Sequence, residues 1–404
     1  MRYKLTPRIS TPSEKQVCLA LLVLLLLQVS LAQEQRISCF LIGSVHPNRC
    51  PFTNFFSEDP LFTYSVEPIP ADLPDEAKRK IDRLYFPRTR TSLVESFQFI
   101  AFSDARIQHY TPRQFSDLDY AFRDAGVVSY YSFGPSWLHA FEPTIMYQLL
   151  PIEEYDFYFH KSWRVVFEEE REPVFTIFKE LGMEKVQGDA YAWMKPRMGS
   201  QTWAHMQPLE LPWLVSWAPA GSNPGLAWVC GDEFNSQWWS LTPGTRGNNP
   251  YAIELTTNLI LHSLGRDLIS DIHARREARN AISFFQRDKL MVLSMMEWAD
   301  AFGANTLPIS QRLRELENGV SGATDLYLEQ EYSESIGVME DLTDQMTEIH
   351  GDAAELKDEA LFWVYLSEWL VVTSVAILSG AVIWSLMIRR MAYREVAATR
   401  LRYG

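Results

Sequence analysis

The spacing of apolar and polar positions changes character at about residue 268. Before it, short apolar runs alternate with stretches that repeat apolar positions every three or four residues, the pattern of strands joined by crossover helices. Strands are predicted at Ile37–Ile42, Phe62–Val66, Phe97–Phe102, Val127–Phe133, Trp213–Trp217 and Leu226–Cys230. Helices are predicted over Arg88–Ser96, over Thr111–Gly126 and from Pro250 to Ser263. Thr111 followed by Pro112 reads as a capping residue and a first helical residue, and Gly126 and Gly265 read as stops. The first part of the chain therefore predicts an α/β fold with a parallel sheet.

Beyond 268 the strand signals cease. Residues 269–302 read as one long helix broken by Gly303 and Pro308, followed by a helix to Gly319/Gly322 and a last one from about Thr324. In that last helix Leu342, Met346, Ile349, Ala353 and Leu356 form a heptad-like seam of about two heptads, too short to demand a coiled coil and equally suited to packing within the chain. Acidic residues such as Glu329, Glu331, Glu334, Glu340, Asp341 and Asp344 read as its solvated face.

Both ends carry a membrane signature. Val17–Leu27 is an apolar run of signal-peptide length behind a basic stretch, and Ser30-Leu31-Ala32 offers small residues for cleavage after Ala32. An uncleaved signal anchor is the alternative. Trp369–Ile388 is uncharged for 20 residues, which at about 1.5 Å per residue matches a hydrocarbon core of roughly 30 Å. Arg389 and Arg390 follow at once, and Trp363, Tyr365 and Trp369 sit where an aromatic belt would lie. Glu368, one residue before the span, is placed in the hydrated interface. The expected organisation is a signal peptide (1–32), an α/β domain (33–267), a membrane-proximal helical region (268–360), a transmembrane helix (361–388) and a basic cytoplasmic tail (389–404), with the main domain outside the cytoplasm.

Charge supports that division. The chain has 404 residues and a formal net charge of −14. Residues 1–16 carry +3 and residues 389–404 carry +4, so the body between them holds −21. An acidic body excludes a sequence-independent grip on nucleic acid, which relies on basic surface. Without the leader's Cys18, the cysteines are Cys39, Cys50 and Cys230, which allow one disulfide at most and do not fix its pairing.

Several segments in series resemble the class I glutamine amidotransferase-like domain. They are Phe97–Asp104, Thr111–Gly126, Val127–Trp137, Glu142–Pro151 (EPTIMYQLLP), Pro212-Trp-Leu-Val and Gly225–Asp232 with Trp238-Trp239. The resemblance covers about residues 36–265 and implies a three-layer, flavodoxin-like sheet. It also implies a cysteine nucleophile on a strand-to-helix turn, with histidine and glutamate as base and orienter. The corresponding stretch here, Ser132-Phe-Gly-Pro-Ser136, has no cysteine, and no His-x-Glu pair follows downstream. The implied domain is catalytically degenerate, and the family's membrane-tethered, transport-associated members that lack catalysis share its layout.

The remaining chemistry is thin. Ser132 or Ser136 with His139 and Glu142 is the candidate catalytic group, and Asp104, His109 and His160 fall on loops that meet at one edge of such a sheet. Asp104, His109, Asp232, Trp238 and Trp239 are the candidate ligand-binding residues. No repeated His/Cys spacing marks a metal site, and no cofactor is expected. The sequence thus predicts a membrane-anchored binding or scaffold protein whose partners are the lipid bilayer and a protein of a transport or envelope complex. The rival is a hydrolase or transferase using the 132–142 loop with His109, His139, Glu142 and Asp104.

Overall fold

The computed structural model describes residues 36–43, 50–66, 74–103, 105, 107–132, 138–158, 163–168, 173–188, 191–231, 237–239 and 249–400. The expected leader, Asp104, Ser136, His160 and Asp232 lie outside the described residues.

β1 (Ile37–Gly43) is apolar almost without interruption and buried on both sides, as a central parallel strand must be. α1 (Pro51–Glu58) leads to β2 (Phe62–Val66), which pairs with β1 in parallel. α2 (Asp75–Tyr85) and α3 (Arg90–Ser96) lead to β3 (Phe99–Ser103) on the other side of β1. α4 (Pro112–Asp124) opens with a capping box in which Thr111 Oγ1 accepts from Gln114 N–H and Gln114 Oε1 accepts from Thr111 N–H. It crosses to β4 (Val128–Ser132), parallel to β3.

α5 (Leu138–Phe141), β5 (Ile152–Tyr158), β6 (Trp163–Phe167), α6 (Thr176–Glu180), β7 (Gln187–Gly188), β8 (Tyr191–Pro196) and β9 (Gln201–Gln207) intervene before β10 (Leu211–Trp217) and β11 (Ala227–Cys230). The sheet is nine-stranded, in the order β2-β1-β3-β4-β11-β10-β9-β6-β7. Its first five strands are parallel to one another, and the remaining four pair antiparallel. The expectation of a parallel sheet is thus corrected to a mixed one. The cause lies in the connections: residues 218–226 between β10 and β11 are too few for a parallel crossover, which takes about a dozen or more. β5 and β8 form a separate antiparallel ribbon, whose Tyr155 and Met194 join the core beside Val215.

Helices cover both faces of the sheet. On one, Phe40, Ile42, Ile100, Phe102 and Tyr131 pack with Leu118 and Phe122 of α4. On the other, Phe52 of α1 meets Phe99 and Tyr130, and Trp228 Nε1 donates to Ser263 Oγ at the end of α7 (Ala252–Ser263) at 2.7 Å.

Three long helices follow: α8 (Ile272–Ala301), α9 (Leu307–Leu328) and α10 (Tyr332–Arg400). The chain forms two compact units, one ending at Asn280 and including Thr324–Ser335, the other comprising Ala281–Ala323 and Ile336 onward. In the second unit the predicted seam is buried at Leu342, Met346, Ile349 and Ala353, as are Val292 and Ala299 of α8 and Leu313, Leu316 and Val320 of α9. The expected stop at Gly319/Gly322 is not used. α9 runs through both glycines, and the turn comes at Gln330, whose φ is +64°. A helical glycine costs only about 1 kcal/mol relative to alanine, and Gly319 offsets this with a close approach, since a Cβ there would lie 2.8 Å from Leu342 Cδ2. From Tyr365 to Met391 every residue of α10 is exposed, and this helix is long and apolar enough to span a membrane.

Candidate functional site

The carboxyl ends of β1, β3 and β4 place Gly43, Ser103 and Ser132 in register. Gly43 has φ +101°, and a Cβ on it would lie 2.2 Å from Ser103 O, so only glycine fits where β1 leaves the sheet. Cys50 heads α1 at this edge. Burial pushes its thiol up, against contacts from Thr53, Phe52 and Ser103 that pull it down. A catalytic thiol needs the opposite shift, because the thiolate is the nucleophile.

Among the described residues, the sequence-predicted ones do not converge there. Ser132 is buried at the end of β4. His139 and Glu142 are exposed and face each other, Nδ1 to Oε1, at 3.3 Å, a separation that follows from their i, i+3 spacing. His109, in the 3₁₀ turn Ile107–His109, is buried, and its Nδ1 lies 2.5 Å from Oδ2 of Asp82, itself buried on α2. Asp82 was missed in the sequence reading because it sits 27 residues away on a helix dominated by charge. Trp238 and Trp239 are fully buried, their ring centroids 4.4 and 6.0 Å from that of Trp213, and the Trp163 ring is 6.4 Å from that of Trp213. They belong to an aromatic cluster inside the fold. Cys39, Cys50 and Cys230 are buried thiols and form no disulfide. Among the described residues no three His, Cys, Asp or Glu side chains converge as a metal site would require.

A second polar constellation lies at the opposite edge of the sheet, where β2 begins. Asp59, just after α1, is buried and accepts hydrogen bonds from Leu61 N–H (3.0 Å), Tyr327 Oη (3.0 Å) and the Arg275 guanidinium. Arg279, one helical turn beyond Arg275, donates to Glu254 Oε1 at 2.9 Å, and Glu254 is completely buried on α7. The Arg275 guanidinium stands 5.4 Å from the centre of the Tyr327 ring. Burial works against its charge, but Asp59 foremost among its neighbours more than restores it, so its pKa is raised. Two cations thus face two anions out of water.

Such a cluster gains little net stability over apolar packing, yet losing one member leaves a buried charge without its partner. Beside it is a cavity of about 330 Å³ lined by Leu261, Arg266, Arg275, Tyr327, Gln330 and Tyr332, among others. The Arg275 charge there is already engaged by Asp59, so that pair holds helices to the sheet, while Arg266 lines the cavity as a second cation. Sequence alone gave no signal for it, since Asp59 and Arg275 are 216 residues apart.

No protein-family model, curated protein or solved structure matches the chain.

Proposed function

We propose that the chain is a membrane-anchored binding or scaffold protein, carrying a catalytically degenerate amidotransferase-like domain outside the cytoplasm and joining a protein partner in a transport or envelope complex. The observation that carries the reading is the pairing of a folded α/β body with a terminal helix whose apolar side chains are exposed on every side. Surface of that kind is suited to lipid and not to water.

The strand order supports the fold assignment. Counted along the chain, the five parallel strands lie in the order 2-1-3-4-5, the arrangement of flavodoxin-like sheets, whose ligands sit at the carboxyl ends where the order reverses. Here that point lies between β1 and β3, at Gly43 and Ser103. Against catalysis stand the buried Ser132, the exposed His139 and the upward-shifted Cys50 thiol.

Purified in mild detergent, the full chain is expected to emerge in fixed stoichiometry with a second membrane-associated protein and to turn over no amide or ester. A lone protein that hydrolyses either would overturn the reading. One observation favours the hydrolase alternative: His109 is held by Asp82, as a general base is held by its orienting carboxylate. Loss of such turnover in His109→Ala, with the fold intact, would establish it.

A further inference from the structure

Within the second unit, α8 carries two apolar faces. One is buried in the unit: Ile282, Phe285, Val292, Met296 and Ala299, with Lys289 among them pairing with Glu317 of α9. The other is Phe284, Met291, Met295 and Trp298, with Phe302 just past the helix end. Together with Asp288 these positions follow one another at spacings of 4, 3, 4, 3 and 4, a second heptad seam. At 3.6 residues per turn it lies roughly a quarter of a turn around the helix from the buried one. This second seam is open: Phe284 is 48% exposed, Met291 46% and Phe302 50%, while Met295 and Trp298 are partly buried. The Trp298 and Phe302 rings lie with centroids 4.5 Å apart. The seam runs for roughly 27 Å along the axis, and a continuous exposed apolar stripe marks an interaction surface.

Two observations select what covers it. The first is direction. Lys289 pairs with Glu317, Arg312 of α9 pairs with Asp352 of α10, and Phe302 borders the same cavity as Leu356 and Trp363. Thus α8 runs beside α10, with its Phe302 end toward the apolar span. Copies of the chain anchored in one membrane are related by rotation about its normal, so their seams meet parallel, with the same residue at the same height. The second observation is charge. Arg287 and Asp288 stand at the seam, and among the described residues neither forms an ion pair within the chain; Arg287 Nε donates only to Ser283 O, at 3.4 Å. In heptad terms Asp288 takes an a position and Arg287 the g position before it, so in a parallel, in-register pair each Asp288 packs beside Arg287 of the other copy. A slip of one heptad would set Asp288 against Met295. One polar layer of this kind fixes register and partner.

We propose that the open seam of α8 is a homodimer interface, covered by the same seam of a second copy in a parallel, in-register pair, with Arg287 and Asp288 pairing across it. The parallel sense rests on reading Trp369–Ile388 as a span. Confinement to one membrane raises the effective concentration of the two copies, so a single helical seam suffices. The partner complex proposed above then contains two copies of the chain.

Disulfide cross-linking of the full chain in native membranes tests it, because Cys39, Cys50 and Cys230 are buried. Met291→Cys is expected to give a covalent dimer about tenfold more efficiently than Leu290→Cys, at a position 66% exposed on another face of α8. Added to Met291→Cys, Arg287→Asp or Asp288→Arg alone is expected to lower the dimer yield by about tenfold, because like charges then face each other. The two together exchange the signs and should restore it. Equal yields at Leu290 and Met291, or a double variant no better than the singles, overturns the interface. So does a Met291→Cys adduct with a different protein in place of the dimer. Alkaline carbonate extraction of the same membranes separates the failures: a chain that is extracted defeats the span, and one that stays but forms no Met291→Cys dimer defeats only this interface.

Discussion

Arg275, four residues into α8, donates a hydrogen bond to Asp59, which ends α1 at the start of the sheet's β2 edge. The two side chains are almost entirely buried, and Tyr327 closes on the same carboxylate from α9. The first residues of the helical region are therefore part of the α/β unit through charge as well as through apolar packing.

Asp59→Ala is expected to cost about 3–5 kcal/mol, because it strands the Arg275 guanidinium in the interior. The unfolding midpoint of the detergent-solubilised chain would fall by roughly 10 °C. Replacing both partners, Asp59→Leu with Arg275→Met, should recover most of the loss, since an apolar pair carries no desolvation penalty. Single variants within about 1 kcal/mol of the parent would show that the pair is not electrostatically committed.

Tyrosines of the same cluster set an alkaline limit. Burial pushes Tyr332 up to about 12 from an ordinary 10, against the pull of Arg275, and burial likewise raises Tyr327 well above its ordinary value. Below pH 10 these phenols are protonated in both states and contribute nothing to the pH dependence. Above it the unfolded chain releases its protons first, so stability is expected to fall from about pH 10 through about 12. Ultraviolet titration should show a fraction of tyrosines that ionise only as the chain unfolds. A single smooth titration of all tyrosines near 10 in folded protein would contradict this.

The two glycines of α9 are expected to respond differently. Gly322 is exposed with open space at its Cβ position, so Gly322→Ala should gain about 0.5–1 kcal/mol in thermal unfolding from helix propensity alone. Gly319→Ala must move Leu342 Cδ2 and should gain less, and Gly319→Leu should lose stability by overpacking. Equal gains at both sites would show that α9 and α10 do not approach as closely as described.

The three thiols should be silent. Cys39 is raised well above its ordinary value by burial first and by Asp59 second, and Cys50 is raised by burial. Ellman's reagent at neutral pH is expected to react with none of Cys39, Cys50 and Cys230 until denaturant is added. Rapid reaction of one thiol in the folded chain would place it at an accessible, activated position.

Much of the parallel half of the sheet was legible in the sequence because β1, β3 and β11 are buried on both faces and read as nearly unbroken apolar runs, whereas β2 is exposed along most of its length. β5, with Glu153, Glu154 and Asp156 among its seven residues, gave no such signal, and β6, β8 and β9 likewise carry charged or polar side chains within the strand. Thr111 and Pro112 marked the head of α4 because capping is a local interaction. Gly319 misled because its reason for being glycine is Leu342, on another helix. The same holds at the candidate sites. His109 could be named from residue type, but Asp82 and the Asp59–Arg275 pair depend on contacts that only the fold brings together.

The central claim, an anchored body displayed outside the cytoplasm, is tested most directly by labelling with a membrane-impermeant maleimide. Met198 is 93% exposed on the α/β body, and the native thiols Cys39, Cys50 and Cys230 are buried. In intact cells Met198→Cys should label fully, and Ala397→Cys, in the basic tail, should label only after permeabilisation. The reverse pattern, or protection of both positions until permeabilisation, would contradict the account.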